Sequence, residues 1–183
     1  MILPAPGILL IADPFLKDPN FMRTVIFICE HQPVGSFGFV LNKLSEKTLD
    51  ELMTGFDDYP IPIYYGGPVQ MDTIHFLHQY PELIPGGKEV MSGIYWGGDF
   101  IKLSEMVKNK EIDLKKVRFF IGYSGWSNGQ LGDELKEKSW LTVAATSDLI
   151  FHQKAEDIWK DSLKHLGGEY EIMINFPTDP QLN

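Results

Sequence analysis

The segment Val25-Ile26-Phe27-Ile28-Cys29 is apolar at every position, whereas a strand with one solvated face alternates apolar and polar residues. Such a strand must be covered on both faces, which predicts a place inside a sheet with other layers packed against it. A chain of 183 residues can bury a core of that size within one domain. Apolar residues make up 44% and charged residues 22%, a composition that excludes disordered, collagen-like and coiled-coil chains.

Further strand signals lie on both sides of this segment. A buried strand at Ile8–Ala12 stops at Asp13-Pro14, because proline cannot donate to a sheet ladder. The central strand is expected to turn through a loop of several residues into Phe37–Leu41, forming a hairpin. The later predicted strands are Ile61–Tyr65, Thr73–Leu77, Val90–Trp96, Val117–Ile121 and Leu141–Ala145.

Helix signals separate some of these strands. Thr48 and Glu51 have the spacing of a capping box, and Asp99 is a good N-cap for a helix that buries Leu103 and Val107. The last predicted helix covers Ala155–Leu166 and stops at a pair of glycines. Strands in hairpin succession together with strands separated by helices favour an α+β fold with a mixed sheet.

Charge and cysteine content restrict the partners and the compartment. The net charge of −9 repels phosphate backbones and anionic lipid headgroups, so direct binding to nucleic acid is not expected. Cys29 is the only cysteine, which fits a reducing cytoplasm and excludes an intrachain disulfide. The first basic residue is Lys17, so the charged start of a signal peptide is missing. The longest apolar runs are far shorter than the ~20 residues that span a bilayer. We expect a cytoplasmic protein without membrane association.

We expect one domain over residues 1–183. The proline-rich end around Pro177 and Pro180 predicts that residues 175–183 form a loose C-terminal tail.

The segment Gly122-Tyr123-Ser124-Gly125-Trp126 invites comparison with the nucleophile elbow of hydrolases, and is expected to turn a strand into a helix that starts at Ser127–Gln130. The elbow requires a glycine two residues after the serine, where this chain has Trp126. The spacing therefore disfavours a serine hydrolase. Trp126 itself is open to two interpretations, a plug in the core or an exposed part of a ligand surface.

Other catalytic or metal patterns are incomplete. Cys29 and His31 share one face of a strand, but Cys29 closes an apolar run and is expected to be a small buried residue rather than a reactive thiol. His75 and His78 are a weak zinc pair, because a spacing of three sends them to opposite faces of a strand. No glycine-rich nucleotide-binding motif occurs, so the sequence predicts no metal site and no cofactor.

Many ordered positions together resemble the YqgE/AlgH family of bacterial proteins. They are Leu9–Ala12, Asp18–Phe21, Arg23, Ile28–His31, Gly35, Gly38, Asn42–Lys43, Gly66–Val69, Asp72, Leu77–His78, Ser92, Asp99, Gly122–Tyr123, Trp126, Gly129–Leu131, Glu134 and Trp140–Leu141. The resemblance implies a single α+β domain with a bifurcated or barrel-like sheet surrounded by helices, in a cytosolic bacterial setting. It implies neither an agreed activity nor a cofactor, and the AlgH name implies only an association with transcriptional regulation.

Two hypotheses of function follow. The first is a binding or regulatory module for a protein or a small ligand. Its surface would comprise polar and glycine positions that core packing does not explain: His31, Asn42, Gly67, Pro68, Trp126 and Gln130. These residues form one site only if the turns near Gly35, Gly67 and Gly125 meet in a common cleft. The alternative is an enzyme in which His31 or His78 is the acid-base residue, oriented by Glu30 or Glu134.

Overall fold

A computed structural model describes residues 2–56 and 59–177 of the chain. The strands in this part are β1 (Ile8–Ala12), β2 (Val25–Gln32), β3 (Gly35–Val40), β4 (Leu44–Thr48), β5 (Pro62–Tyr65), β6 (Val69–His78), β7 (Lys88–Met91), β8 (Ile94–Trp96), β9 (Val117–Ser127) and β10 (Trp140–Ala144). The α-helices are α1 (Leu49–Leu52), α2 (Phe100–Lys108), α3 (Gln130–Lys136), α4 (Ser147–Ile150), α5 (Ala155–Leu166) and α6 (Tyr170–Met173). A single 3-10 turn covers Leu114–Lys116.

The strands form one open, largely antiparallel sheet. Hydrogen-bonded neighbours follow the order β10-β1-β2-β3-β9-β6-β8-β7, and β4 and β5 form a side branch. The pairing of β5 with β9 is parallel, while every other strand pair in the described part is antiparallel. The predicted α+β class with a mixed sheet is therefore confirmed.

The sheet forks at β9. One edge of this strand pairs with β6, from Val69 opposite Tyr123 to His78 opposite Val117. The other edge is divided, because its first half pairs with β5 and its second half, from Ser124, pairs with β3. The resemblance implied a bifurcated or barrel-like sheet, and the division at β9 makes the sheet bifurcated.

Glycines allow the two branches to meet at the fork. The Gly66 N–H donates to the Ile121 carbonyl at 2.9 Å, and the Gly66 carbonyl accepts from the Val40 N–H at 2.8 Å and the Ser124 hydroxyl at 3.0 Å. A Cβ at Gly66 would collide with the Gly122 carbonyl oxygen. The close approach of three backbones therefore requires a residue without a side chain.

The fully apolar run of β2 is covered on both faces, as its pattern predicted. On β1 and β2, Leu9 and Phe27 point into one core cluster and Leu10 and Ile26 into another. Helix α5 covers the first cluster with Trp159, among other residues. Helix α3 covers the second. The third cluster lies where α1 and α2 pack on β5, β6 and β9.

Two predictions in the strand regions are wrong in detail. The loop between β2 and β3 is a turn of only Pro33 and Val34. The single strand predicted at Val90–Trp96 is a hairpin of β7 and β8, because Gly93 adopts a φ of 79° that lets the chain reverse.

The largest correction concerns the predicted turn after Ile121. The chain continues in β9 through Ser127, because Tyr123 pairs with β6 and residues 124–127 pair with β3, and α3 begins only at Gln130. The segment is therefore not an elbow. Helices α1, α2 and α5 have the predicted bounds or start, whereas α6 was not predicted.

The predicted tail begins at residue 175, and residues 178–183 lie outside the described part of the chain. In the described part of this predicted tail, the Phe176 carbonyl accepts a hydrogen bond from Arg23, and the Phe176 ring centroid lies 5.5 Å from that of Phe15. None of the described helices is long and apolar enough to cross a membrane.

Substitution of Gly38 tests the close packing of β2 and β3. A Cβ at Gly38 would collide with the Phe27 carbonyl oxygen, so Gly38→Ala should lower the free energy of unfolding by about 1–3 kcal/mol or more. Gly132 in α3 has no atom within 4 Å of a built Cβ, so Gly132→Ala should be neutral or stabilise by up to about 1 kcal/mol. Urea denaturation of both variants measures the difference, and equal effects would contradict the proposed packing.

Candidate functional site

A groove of about 570 Å³ lies where β3, β6 and β9 meet. Its lining residues come from the β2–β3 hairpin, from β6, β8 and β9: Glu30, Gln32, Val34, Gly35, Ser36, Phe37, Val69, Gln70, His75, Trp96, Tyr123, Gly125 and Trp126. Gly125 and Trp126 line this groove where β9 pairs with β3, just past the fork.

Aromatic rings in mutual contact line the groove. The Phe37 ring lies 4.7 Å from that of Trp96 and 5.8 Å from that of Tyr123, with interplanar angles of 63° and 73°. The His75 ring lies 6.2 Å from Trp96 and 6.0 Å from Tyr123. Edge-to-face contacts of this kind fix the orientation of each ring. The groove therefore has rigid aromatic walls.

His75 contributes a neutral imidazole to these walls. Burial lowers the pKa of its side chain. The Thr73 hydroxyl donates to the Gln70 carbonyl at 2.7 Å and lies 3.1 Å from His75 Nε2. Because the hydroxyl proton is already used, Thr73 accepts a hydrogen bond from Nε2–H. This assigns the proton to Nε2 and leaves Nδ1 as an acceptor.

A charged pair marks the rim of the groove. The Glu30 carboxylate forms an ion pair with Lys88, whose side chain lines an adjoining groove of about 700 Å³. His75 and Trp96 line both grooves and so form the wall between them. Lys88 is 53% and Glu30 28% exposed, so the ion pair contributes little to stability and either side chain can exchange partners.

Three of the sequence-predicted site residues lie around the junction of β3 and β9. His31 Nδ1 is 2.7 Å from the Ser36 hydroxyl, and Ser36 pairs directly with Trp126. Trp126 is only 6% exposed but lines the groove with part of its surface. Gln130 Oε1 accepts from the Ser127 N–H at 3.0 Å. His31 itself faces a neighbouring pocket of about 490 Å³ on the other side of the hairpin turn.

Gly67 and Pro68 form the connection between β5 and β6. Gly67 is buried with its Cα against the backbone of Tyr123 and Ser124, so it serves the packing of the fork. Pro68 is exposed and precedes Val69, which lines the groove.

Asn42 lies away from these residues. Its side chain accepts from the Val25 N–H at 2.9 Å and donates to the Arg23 carbonyl at 2.8 Å, which joins β2 to the chain that follows β3. Val40 already lies about 13 Å along β3 from Ser36, at ~3.3 Å per residue, and Asn42 is two residues further. The amide therefore ties the open end of the hairpin, whereas the groove lies at its turn.

The hypothesis of one site required the segments around Gly35, Gly67 and Gly125 to meet in a common cleft. Gly35 and Gly125 both line the groove, and Gly67 is two residues from the lining residue Val69. Apart from Trp126, the aromatic residues at the same place were not predicted as site residues. Phe37 packs against the same cluster as Phe39 and Leu41, its neighbours at every second position, but it is only partly buried at the edge of that cluster. No local pattern distinguishes such a residue from a core residue.

The candidate nucleophiles are buried and engaged. Ser124 is fully buried and donates to a backbone carbonyl. Burial raises the pKa of the Cys29 thiol well above its usual value, with Glu30 adding to the shift, so this cysteine is inert, as expected. Within residues 2–56 and 59–177, no group of three histidine, cysteine or acidic side chains could hold a metal ion.

His78 is also engaged on both ring nitrogens. Its Nε2 lies 2.8 Å from the Gly97 carbonyl, and its Nδ1 accepts from the Tyr80 N–H at 3.1 Å. With no exposed surface, this histidine holds the β6–β8 region together and has no route to substrate.

Glu134 is a structural residue beneath the groove. Its Oε2 accepts from the indole N–H of Trp126 at 2.8 Å and of Trp140 at 2.7 Å, while Oε1 accepts from Gln130 at 3.0 Å. The carboxylate therefore satisfies two buried indoles and fixes Trp126 in the groove wall. It is not available to orient His31 or His78 as an acid-base partner.

Removal of this carboxylate tests its structural role. Glu134→Ala leaves two buried indole donors without a partner, at a cost of about 1–3 kcal/mol for each. Glu134→Gln retains one amide oxygen as an acceptor and should cost less. Glu137→Ala, at the exposed end of the same helix, should change stability by less than about 0.5 kcal/mol. If Glu134→Ala were as mild as Glu137→Ala in urea denaturation, the two indoles would not depend on this carboxylate.

The buried histidine predicts a pH dependence of stability. Burial lowers the pKa of His78 in the folded state below its unfolded value of about 6.5, with the Gly97 hydrogen bond opposing the shift. Its contribution is complete above that value and is lost as the pH falls through the lowered folded pKa. We expect His78→Gln to flatten the fall in unfolding free energy below pH 6.5. His165→Gln, on the exposed side of α5, should leave the slope unchanged, and an unchanged slope in His78→Gln would contradict the assignment.

Comparisons with known proteins support this fold over its whole length. The model of the AlgH-like family matches residues 9–171. A UPF0301 protein of Chlorobaculum tepidum is 46% identical over 178 residues, covering 97% of this chain and 95% of its own. A UPF0301 protein of Parabacteroides distasonis is 41% identical over 184 residues, covering 100% of this chain and 93% of its own.

Two solved structures have a similar fold. The solution structure of the AlgH protein from Pseudomonas aeruginosa has a TM-score of 0.72 and 28% identity, covering 97% of this chain and 98% of that one. A crystal structure of a protein from Corynebacterium diphtheriae has a TM-score of 0.80 at 21% identity, covering 96% and 94%. The resemblance seen in the sequence is confirmed, and the chain belongs to the AlgH-like family.

Proposed function

We propose that this protein is a binding module whose groove between β3, β6 and β9 takes a small ligand with a flat ring. The observation that carries the proposal is the Phe37 ring in contact with both Trp96 and Tyr123, beside an open volume of about 570 Å³. Volumes of about 300–1,000 Å³ are typical of small-molecule sites. Aromatic walls favour a ring, because rings pack edge-to-face or in offset stacks against one another.

The polar groups of the groove supply orientation. Nδ1 of His75 is an acceptor without a hydrogen bond among the described residues, and Gln32 and Gln70 add amide groups at the rim. A few placed polar groups on apolar walls are the usual composition of a specific site. The preferred ligand therefore carries a donor beside its ring.

We propose a regulatory role exerted through a protein partner in the cytoplasm rather than through contact with DNA. The net charge of −9 supports this, because a DNA-binding surface needs an excess of basic residues. The buried, unpaired Cys29 fits a reducing compartment. Binding of a ligand in the groove does not require the protein partner, so it can be measured on the protein alone.

A titration with indole, which has a flat ring and one donor, tests the groove. We expect saturable NMR shifts at Phe37, Trp96 and Tyr123, and weaker binding of cyclohexanol, which has no aromatic face. Tyr123→Ala removes one ring contact worth about 0.5–1.5 kcal/mol, equivalent to a loss of affinity of about twofold to thirteenfold.

Tyr170→Ala is the matched control, because Tyr170 is also half-buried but lies in α6 outside the groove. It should leave indole binding unchanged. Unsaturable or scattered shifts, or equal weakening in both tyrosine variants, would refute the ring site.

A further inference from the structure

A second site is indicated by Arg118, a charged residue in the apolar first half of β9. Its side chain is only 4% exposed, and its neighbours Val117 and Phe119 are buried. Nη1 donates to the carbonyls of Ile150 at 2.8 Å and of His152 at 3.0 Å, which anchors the end of α4 to the sheet. These two bonds use one of the three nitrogens.

The other two nitrogens, Nε and Nη2, are buried and have no hydrogen-bond acceptor among the described residues. Together they form the edge of the planar guanidinium that points away from Nη1. This edge presents two parallel N–H donors, the geometry that binds a carboxylate in a bidentate manner. Buried donors without an acceptor are costly and rare in folded proteins.

The guanidinium is held rigidly in its charged form. Its Cζ lies 3.9 Å from the centroid of the Tyr64 ring, so the two planes stack. Burial lowers the pKa of Arg118 to about 10, while Tyr64 opposes the shift. Arg118 therefore carries a positive charge at neutral pH, and the stack satisfies its face but not its edge.

Arg118 lines a cavity of about 220 Å³ that is distinct from the aromatic groove. The other lining residues are Tyr59, Pro60, Ile61, Pro62, Tyr64, Leu114, Lys115, Val117, Phe151 and Gln153. Most of this wall is apolar, and Lys115 is the one other cation among the lining residues. The combination of a buried cation with hydrocarbon walls matches an anion attached to an apolar body.

We propose that this cavity binds a small organic carboxylate, with its two oxygens on Nε–H and Nη2–H of Arg118 and its hydrocarbon part against the proline and isoleucine walls. Each of the two nitrogens exposes less than 1 Å² to solvent. The ligand must therefore displace part of the wall. Leu114, Lys115 and Gln153 are exposed side chains and the easiest to displace.

The Arg118 Nε–H resonance of the full-length protein reports binding directly. We expect a saturable NMR shift with butyrate, and none with chloride at the same ionic strength. Inorganic phosphate offers anionic oxygens without a hydrocarbon part, so it should bind at least fivefold more weakly. No saturable shift with butyrate would overturn the site, and equal binding of phosphate would overturn its assignment to organic acids.

Two variants separate binding from folding. Leu114→Trp fills the mouth of the cavity while leaving Arg118 in place, and should weaken butyrate at least tenfold with no change in the thermal midpoint. Leu83→Trp is the control, because Leu83 is 42% exposed, close to the 38% of Leu114, and does not line the cavity. If both variants bound butyrate like the wild type, the cavity would not be the binding site.

Discussion

The structure depends on the division of one edge of β9 between two partners. A strand normally pairs along its whole edge with a single neighbour, but here β5 takes residues 119–121 and β3 takes residues from 124 onward. The change of partner is possible because the Gly66 backbone bonds to both branches and lacks a side chain. Tyr123, Gly125 and Trp126, which follow this division along β9, line the groove, so the strand that organises the fold also forms part of the site.

Much of the fold could be predicted from the sequence because its signals are local. The uninterrupted apolar run in β2 predicted cover on two faces, and Asp99 predicted the start of α2, since a cap needs only the next turn of the helix. The continuation of β9 past Gly122 could not be predicted in this way. Its glycines resemble a turn locally, and Gly122 has a φ of 67°, yet the strand continues because β3 and β6 supply hydrogen bonds from distant parts of the chain.

The candidate site also depends on contacts between distant segments, which local sequence patterns do not predict. His31, Trp126 and Gln130 lie near one another because Ser36 pairs with Trp126, a register that no short segment specifies. Asn42 was selected from the sequence because it is a polar residue after an apolar strand. Its amide instead forms hydrogen bonds with the backbone at the other end of the hairpin. Polarity in an apolar context thus marks structural and ligand-binding residues alike, and only the hydrogen-bond partners separate them.

Arg118 and Glu134 illustrate how that separation works for charged residues. Both are charged groups beside buried aromatic rings, and each contacts two groups from other parts of the chain. Glu134 accepts bonds from Trp126, Trp140 and Gln130 on its two oxygens, so its packing within the chain accounts for its presence. Arg118 uses one nitrogen and leaves a bidentate edge without an acceptor among the described residues. An unsatisfied buried donor costs free energy, so an acceptor that pairs with it stabilises the folded state. Arg118 combines two such donors on one edge with a place in the wall of a cavity, which is why we propose it, and not Glu134, as a binding residue.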